Sequence, residues 1–183
     1  MTGEFLDTVE TIRRRARAHL EKGAVTDGYK APLETVIGLL NEALATEIVC
    51  VLRYKRHYYM ASGIHAQAVA AEFLEHANEE EQHADLIAER ITQLGGEPNF
   101  SPDGLSDRSH SQYVEGSSLV TMIREDLVAE RVAIDSYSQM IRFIGDRDST
   151  TRIMLEKILA SEEEHADDLA NLLVTIDPTK EGS

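Results

Sequence analysis

The chain has 183 residues and a formal net charge of -15, with 33 Asp and Glu against 18 Lys and Arg. That length suits one domain with a sizeable core, and so acidic a surface excludes wholesale nucleic-acid binding while favouring cations. A lone cysteine, Cys50, excludes an intrachain disulfide framework, and the absence of Trp with few aromatics points to a helical protein.

Residues 1–30 read as an N-terminal extension with a short basic helix at about Ile12–Lys22, broken by Gly23, Asp27 and Gly28. No apolar run of signal-peptide length follows Arg13–Arg17, and no window reads as apolar enough to cross a bilayer. A cytoplasmic chain without membrane contact is the expectation. Residues 31–177 read as one bundle domain. Pro32 sits where a helix starts, and Leu33–Met60 continues with 3.6-residue periodicity until Ser62-Gly63. A second helix is predicted at about Ala66–Leu94, stopped by Gly95-Gly96 and Pro98. Glu97 to Gly116 is rich in Ser, Asp, Gly and Pro and reads as a long connection. A third helix covers about Ser117–Ile144, and Gly145-Asp146 breaks it. A fourth runs from about Ser149 to Ile176 until Pro178, leaving 178–183 as a tail.

Short links make the first two helices an antiparallel pair, and likewise the last two. A connection as long as the middle one has a purpose if it crosses the length of a bundle. The expected fold is therefore an all-α antiparallel four-helix bundle with a long crossover between helices two and three.

The core-facing seam of each helix follows steps of three and four. It passes through Leu40, Leu44, Glu47, Val51, Tyr54 and Tyr58 in the first. In the second it passes through Phe73, Ala77, Glu80, Ala84, Ile87 and Ile91. The third gives Ile123, Leu127, Glu130, Ile134, Tyr137 and Ile141, and the fourth Leu155, Ile158, Glu162, His165, Leu169 and Leu172. Each seam is apolar except near its middle, where each has a glutamate. In antiparallel neighbours of similar length, Glu47, Glu80, Glu130 and Glu162 then meet at one level. His83 and His165 follow two of them at i+3, on the same faces. Four buried carboxylates repel one another, and burying each unpaired costs several kcal/mol. None of the seams holds a Lys or Arg; two divalent cations neutralise the set. Carboxylate and imidazole donors suit iron or manganese.

The halves of the chain also repeat. Glu80-Glu81-Gln82-His83-Ala84-Asp85 aligns with Glu162-Glu163-Glu164-His165-Ala166-Asp167, while Leu44 and Glu47 align with Leu127 and Glu130. A tyrosine follows seven residues after each of these glutamates, Tyr54 and Tyr137. A repeated helical hairpin predicts a pseudo-twofold metal site.

A glutamate from each of two helices with Glu-x-x-His from each of the others is the dinuclear pattern of ferritin-like carboxylate proteins. Over about residues 33–175 the chain resembles the bacterioferritin-related, Dps-like branch of the ferritin superfamily. The resemblance rests on Leu40-Asn41-Glu42 through Glu47, Glu80-x-x-His83-Ala84-Asp85 with Glu89-Arg90-Ile91, Asp126-Leu127-x-x-Glu130, and Glu162-x-x-His165. It implies a ferroxidase that oxidises Fe(II) with O2 or H2O2 for iron storage or detoxification. Glu80 and Glu162 would bridge two irons, Glu47 and Glu130 would be terminal ligands, and His83 and His165 would each cap one. Tyr54 matches a tyrosine near that centre that can supply an electron. Haem is not expected, because Glu81 stands where the haem-ligating methionine would be. The end of the chain soon after the fourth helix, with the N-terminal extension, favours a homo-oligomeric cage of twelve subunits over twenty-four. The cysteine pair of one Dps-like branch is missing, since Cys50 is alone and reads as a packing residue.

Two other readings remain open. The same ligand set serves manganese catalases, whereas a rubrerythrin would need a Cys-x-x-Cys module that the chain lacks. Alternatively, Arg13, Arg14, Arg15 and Arg17 could bind DNA as a Dps tail does, although Glu4, Asp7, Glu10 and Glu21 dilute that charge and Ile12, Ala16 and Leu20 could dock the segment on a cage. His76, one turn before Glu80, reads as a supporting group, an iron-access ligand or an ordinary packing residue. His57 is expected near a subunit contact or helix end.

Overall fold

The computed structural model describes residues 7–64 and 66–176. His65, the Pro178 stop and the expected tail at 178–183 lie outside the described residues. The first helix, α1, spans Val9–Arg15, capped by the Thr8 hydroxyl, which accepts from the Thr11 amide. The sequence-based span of Ile12–Lys22 is corrected here. His19 takes a left-handed φ of 53°, and beyond it the chain makes only a 3-10 turn at Leu20–Lys22. Periodicity misled because nothing covers this segment: α1 buries no residue, and Ile12 and Leu20 are exposed.

Four long helices follow: α2 (Leu33–Met60), α3 (Ala66–Gln93), α5 (Leu119–Ile144) and α6 (Ser149–Ile176), with a single turn, α4 (Leu105–Arg108), inside the crossover. Ser118 and Thr121 form a capping box at the start of α5. At the start of α6 the Asp148 carboxylate accepts from the Thr151 amide at 3.0 Å. The Arg90 guanidinium of α3 donates to the same carboxylate at 3.0 and 3.1 Å, as does the Tyr29 hydroxyl at 2.9 Å. This knot ties the N-terminal extension to the ends of two long helices.

Helix α2 packs chiefly on α3, and α5 on α6. Tyr54 reaches Glu130 while Tyr137 reaches Glu47, so α2 and α5 run antiparallel. The crossover climbs along α2 in register. Asn41 holds the Glu97 carbonyl and the Asn99 amide, Thr46 the His110 amide, Arg53 the Gln112 carbonyl, and His57 lies against the Val114 and Glu115 carbonyls. Where it leaves α3, Gly96 is required by close approach: a Cβ there would lie 2.8 Å from Ile37 Cγ2.

The apolar core is divided in two. One cluster gathers Val36, Leu40, Leu44, Ile87, Ile91, Ile144, Leu155 and Ile158; the other gathers Cys50, Val69, Phe73, Ala77, Ile123 and Leu169. The charged residues of the seams lie between them. In α5 the buried stripe runs through Ala129, Ala133 and Met140, leaving Leu127, Ile134 and Ile141 half-buried at its flanks. Helix α2 also corrects the bilayer expectation. By length and composition it holds a stretch apolar enough to span a membrane, half of it buried inside the bundle.

A buried ion pair absent from the seam analysis locks the crossover. Arg53 Nε donates to Asp126 Oδ1 at 2.7 Å, and His57 Nδ1 lies 2.8 Å from Asp126 Oδ2. All three side chains are 1 % exposed or less, so His57 stands near the end of α2, in its last turn, as expected, but is buried as a core residue. Removing the carboxylate strands a buried guanidinium. Asp126→Ala is therefore expected to destabilise the fold by about 3–5 kcal/mol, as read by guanidinium unfolding, whereas Cys50→Ala should cost less.

Candidate metal centre

At mid-height the four long helices each project one glutamate inward: Glu47 from α2, Glu80 from α3, Glu130 from α5 and Glu162 from α6. All four are 1 % exposed or less. One helical turn beyond Glu80 and Glu162, on the same faces, stand His83 and His165, 7 % and 2 % exposed. Alanines pack close to this level, Ala77 and Ala84 on α3 and Ala129 and Ala133 on α5. Their small side chains let the helices approach while leaving room for longer ones.

The donor atoms form two overlapping groups, within each of which they lie within 4.8 Å of one another. One group is Glu47, Glu80, His83 and Glu162; the other is Glu80, Glu130, Glu162 and His165. The shared members divide their oxygens. Glu80 turns Oε2 toward His83 Nδ1 at 3.5 Å and Oε1 toward His165 Nδ1 at 3.7 Å. Glu162 does the same, with Oε1 at 3.1 Å from His83 and Oε2 at 3.5 Å from His165. Glu47 Oε2 lies 3.4 Å from His83 Nδ1, and Glu130 Oε2 lies 3.9 Å from His165 Nδ1. The arrangement has the pseudo-twofold character of the sequence repeat.

Eight buried atoms here make no hydrogen bond: Glu47 Oε2, both oxygens of Glu80 and Glu162, Glu130 Oε2, and Nδ1 of His83 and His165. Buried polar atoms are normally satisfied. A set of eight lone-pair donors facing one another is what a pair of divalent cations requires, so the residues fit a dinuclear metal site.

The remaining oxygens are pinned from outside. Tyr54 donates to Glu130 Oε1 and Tyr137 to Glu47 Oε1, each tyrosine reaching across to the other hairpin. Tyr54 is one of the residues singled out from sequence. Tyr137 was visible as its partner in the repeat, yet its contact with Glu47 depends on how the hairpins face each other. His165 Nε2 is held by Glu79 Oε2 at 2.5 Å, a contact without a spacing signal. His76 is buried against this side, stacked on His165 with ring centroids 4.1 Å apart. Asp85 and Asp167 are exposed. A surface cavity of about 250 Å³, lined by Glu79, Gln82, His83, Lys157 and Ser161, reaches the His83 side of the centre.

A ferritin-like domain model matches residues 37–178. The chain belongs to the ferritin-like family. It is 31% identical over 143 residues to the bacterioferritin BfrA of Mycobacterium tuberculosis, covering 78% of this chain and 86% of that one. Among solved structures it is similar to a dodecameric thioferritin, the bacterioferritin-related protein of Bacteroides fragilis, with a TM-score of 0.79 and 34% identity over 83% of this chain and 92% of that one. It is also similar to the Desulfovibrio desulfuricans bacterioferritin, a protein with a diiron site seen in different catalytic states, with a TM-score of 0.71 and 27% identity over 81% and 84% of the two chains. This is thus a ferritin-like protein related to bacterioferritins, whose buried Glu and His clusters fit a dinuclear metal site.

Without cations the centre takes up protons. Burial opposes charge on the imidazoles, but the carboxylates around them, Glu162 foremost, push His83 up to about 12 and His165 up to about 11. Burial and the Glu80 charge push Glu47 up to about 8. Burial, with Glu80 and Glu162, holds Glu130 well above the carboxylate range. At pH 7 His83, His165 and Glu47 therefore hold protons that offset part of the negative charge of the cluster. Loading with Zn(II) is expected to release protons, measured by calorimetry in buffers of differing ionisation enthalpy. Affinity should rise between about pH 6 and 8 as protons compete less.

Proposed function

We propose that the chain is a ferroxidase, taking two Fe(II) as substrate at Glu47, Glu80, His83, Glu130, Glu162 and His165 and passing their electrons to O2 or H2O2. The eight unpartnered buried donors carry this reading, because carboxylates and imidazoles gathered away from water call for a neutralising charge that cations can supply. Glu80 and Glu162 would bridge the pair, having an oxygen on each side. Glu47 and Glu130 would be terminal, having one free oxygen each and the other held by a tyrosine. The electrons balance: two Fe(II) become two Fe(III), while H2O2 with two protons gives two waters, or O2 with two protons gives H2O2. Tyr54, bonded to Glu130, would keep that terminal carboxylate oriented toward the ions. Manganese would fit the same donors, and metal preference separates the two readings.

The likeness to a dodecameric relative supports a homo-oligomeric cage, twelve subunits rather than twenty-four, in which Fe(III) is stored or made harmless. A cytoplasmic setting suits iron handling. A second reading has one specific observation behind it: α1 buries nothing, leaving Arg13, Arg14 and Arg17 exposed. Repeated around a cage, these would give avidity for DNA.

Anaerobic titration of the metal-free protein is expected to saturate near two Fe(II) per chain outside any further site. Oxidation on adding H2O2 or air, in separate cuvettes, should then outpace buffer, and the faster oxidant identifies the physiological one. Oxidation no faster than buffer would sink the reading. Tyr137→Phe should slow oxidation roughly 10–100-fold, as loss of a ligand-orienting group does; Glu162→Ala should slow it further. A gel shift at low salt decides the DNA reading: no retardation removes it.

A further inference from the structure

Beyond the six central residues, Glu72 and His76 of α3 and Asp168 of α6 bring one imidazole nitrogen and two carboxylate oxygens within 4.8 Å of one another. His76 is 2 % exposed at its side chain, Glu72 30 %, and Asp168 is half-buried. The group thus touches solvent on one side and the metal centre on the other.

Hydrogen bonding fixes the orientation of the imidazole. The single hydroxyl proton of Tyr54 goes to Glu130, so its oxygen can only accept from His76 Nδ1, 3.3 Å away. That nitrogen therefore carries hydrogen, and Nε2 is the ring's other donor atom. It faces Glu72 Oε1 at 3.5 Å, beyond ordinary hydrogen-bond length. The ring is held there by its stacking on His165 and its edge contact with Tyr54 at 5.3 Å between centroids. Carboxylates crowd the position as well. Partial burial, then Asp168, Glu75 and Glu79, hold the Glu72 carboxyl above its ordinary range. Packing alone would explain a buried histidine here, but it gives no reason for two carboxylates to converge on its outward nitrogen.

We infer that Glu72, His76 and Asp168 form a third, mononuclear cation site for a divalent transition ion, beside the dinuclear centre. One imidazole with two carboxylates selects such ions over Mg²⁺ or Ca²⁺, and the open side leaves positions for water. Its role rests on the ferroxidase reading: it is a waiting position from which Fe(II) passes to the His165 half of the centre. Through Tyr54, an ion at His76 is also linked to Glu130, and through the ring stack to His165.

The test uses full-length, metal-free protein and Co(II) without oxidant, by equilibrium dialysis with the visible spectrum recorded. Wild type should bind about three Co(II) per chain, and Glu72→Gln or Asp168→Asn about two, since each removes one donor from the third site alone. Both positions are partly exposed, so these variants should fold. Glu162→Ala should retain the third ion while losing the pair. A wild type that saturates at two, with Asp168→Asn unchanged, overturns the site and leaves the dinuclear reading intact. If Glu162→Ala binds as much as wild type while Asp168→Asn loses one ion, the dinuclear reading falls and the third site stands.

Discussion

Four carboxylates and two imidazoles face one another in the middle of a bundle, and eight of their donor atoms have no hydrogen-bonding partner among the described residues. Charge of one sign brought together at low dielectric has to be neutralised by something. Protons and cations compete for that task, and the protein is arranged so that either can perform it. The apolar clusters above and below supply the stability that holds the charged layer in place. The tyrosines fix the orientation of the terminal carboxylates, so the cluster keeps its shape whichever neutralising charge is present.

The positive charge that could have neutralised the centre from within is engaged elsewhere. Arg53 is one residue before Tyr54 and fully buried, yet its guanidinium is turned to Asp126 and the Gln112 carbonyl. Arg90, further down α3, is tied to Asp148 and Thr151. Each arginine serves a connection: the first holds the crossover against α2, the second holds the α5–α6 turn and the N-terminal extension against α3. A guanidinium released from Asp126 would be a competing cation for Glu130, whose charge already acts on Arg53. The Arg53–Asp126 pair therefore has a second consequence, which is to keep that guanidinium away from the centre.

Much of this was legible in the sequence because it is periodic. The long helices announce themselves by apolar steps of three and four between Gly and Pro breaks, and the glutamates stand out as polar residues on apolar seams. The short helix α1 was misplaced because periodicity carries information only where a face is buried, and none is. The contact of Arg53 and His57 with Asp126 is hidden in the sequence for the opposite reason. A charged residue beside a seam reads as solvated unless its partner, here 73 positions away from Arg53, is known. Glu79 shows the same limit, since adjacency to Glu80 says nothing about a bond to His165 on another helix.

The two halves of the centre are alike in their ligands and unlike in what surrounds them. His83 is the more exposed imidazole and borders the surface cavity. His165 is enclosed, with Glu79 on its outer nitrogen and His76 stacked on its face. A difference of this kind between repeated hairpins allows the halves to do different work. Rapid exchange with solvent suits the His83 side, where few protein atoms must move. The His165 side is covered by Glu79 and His76, which suits retention or controlled delivery. Asymmetry laid over an internal repeat is thus the feature that separates binding a pair of ions from moving them in one direction.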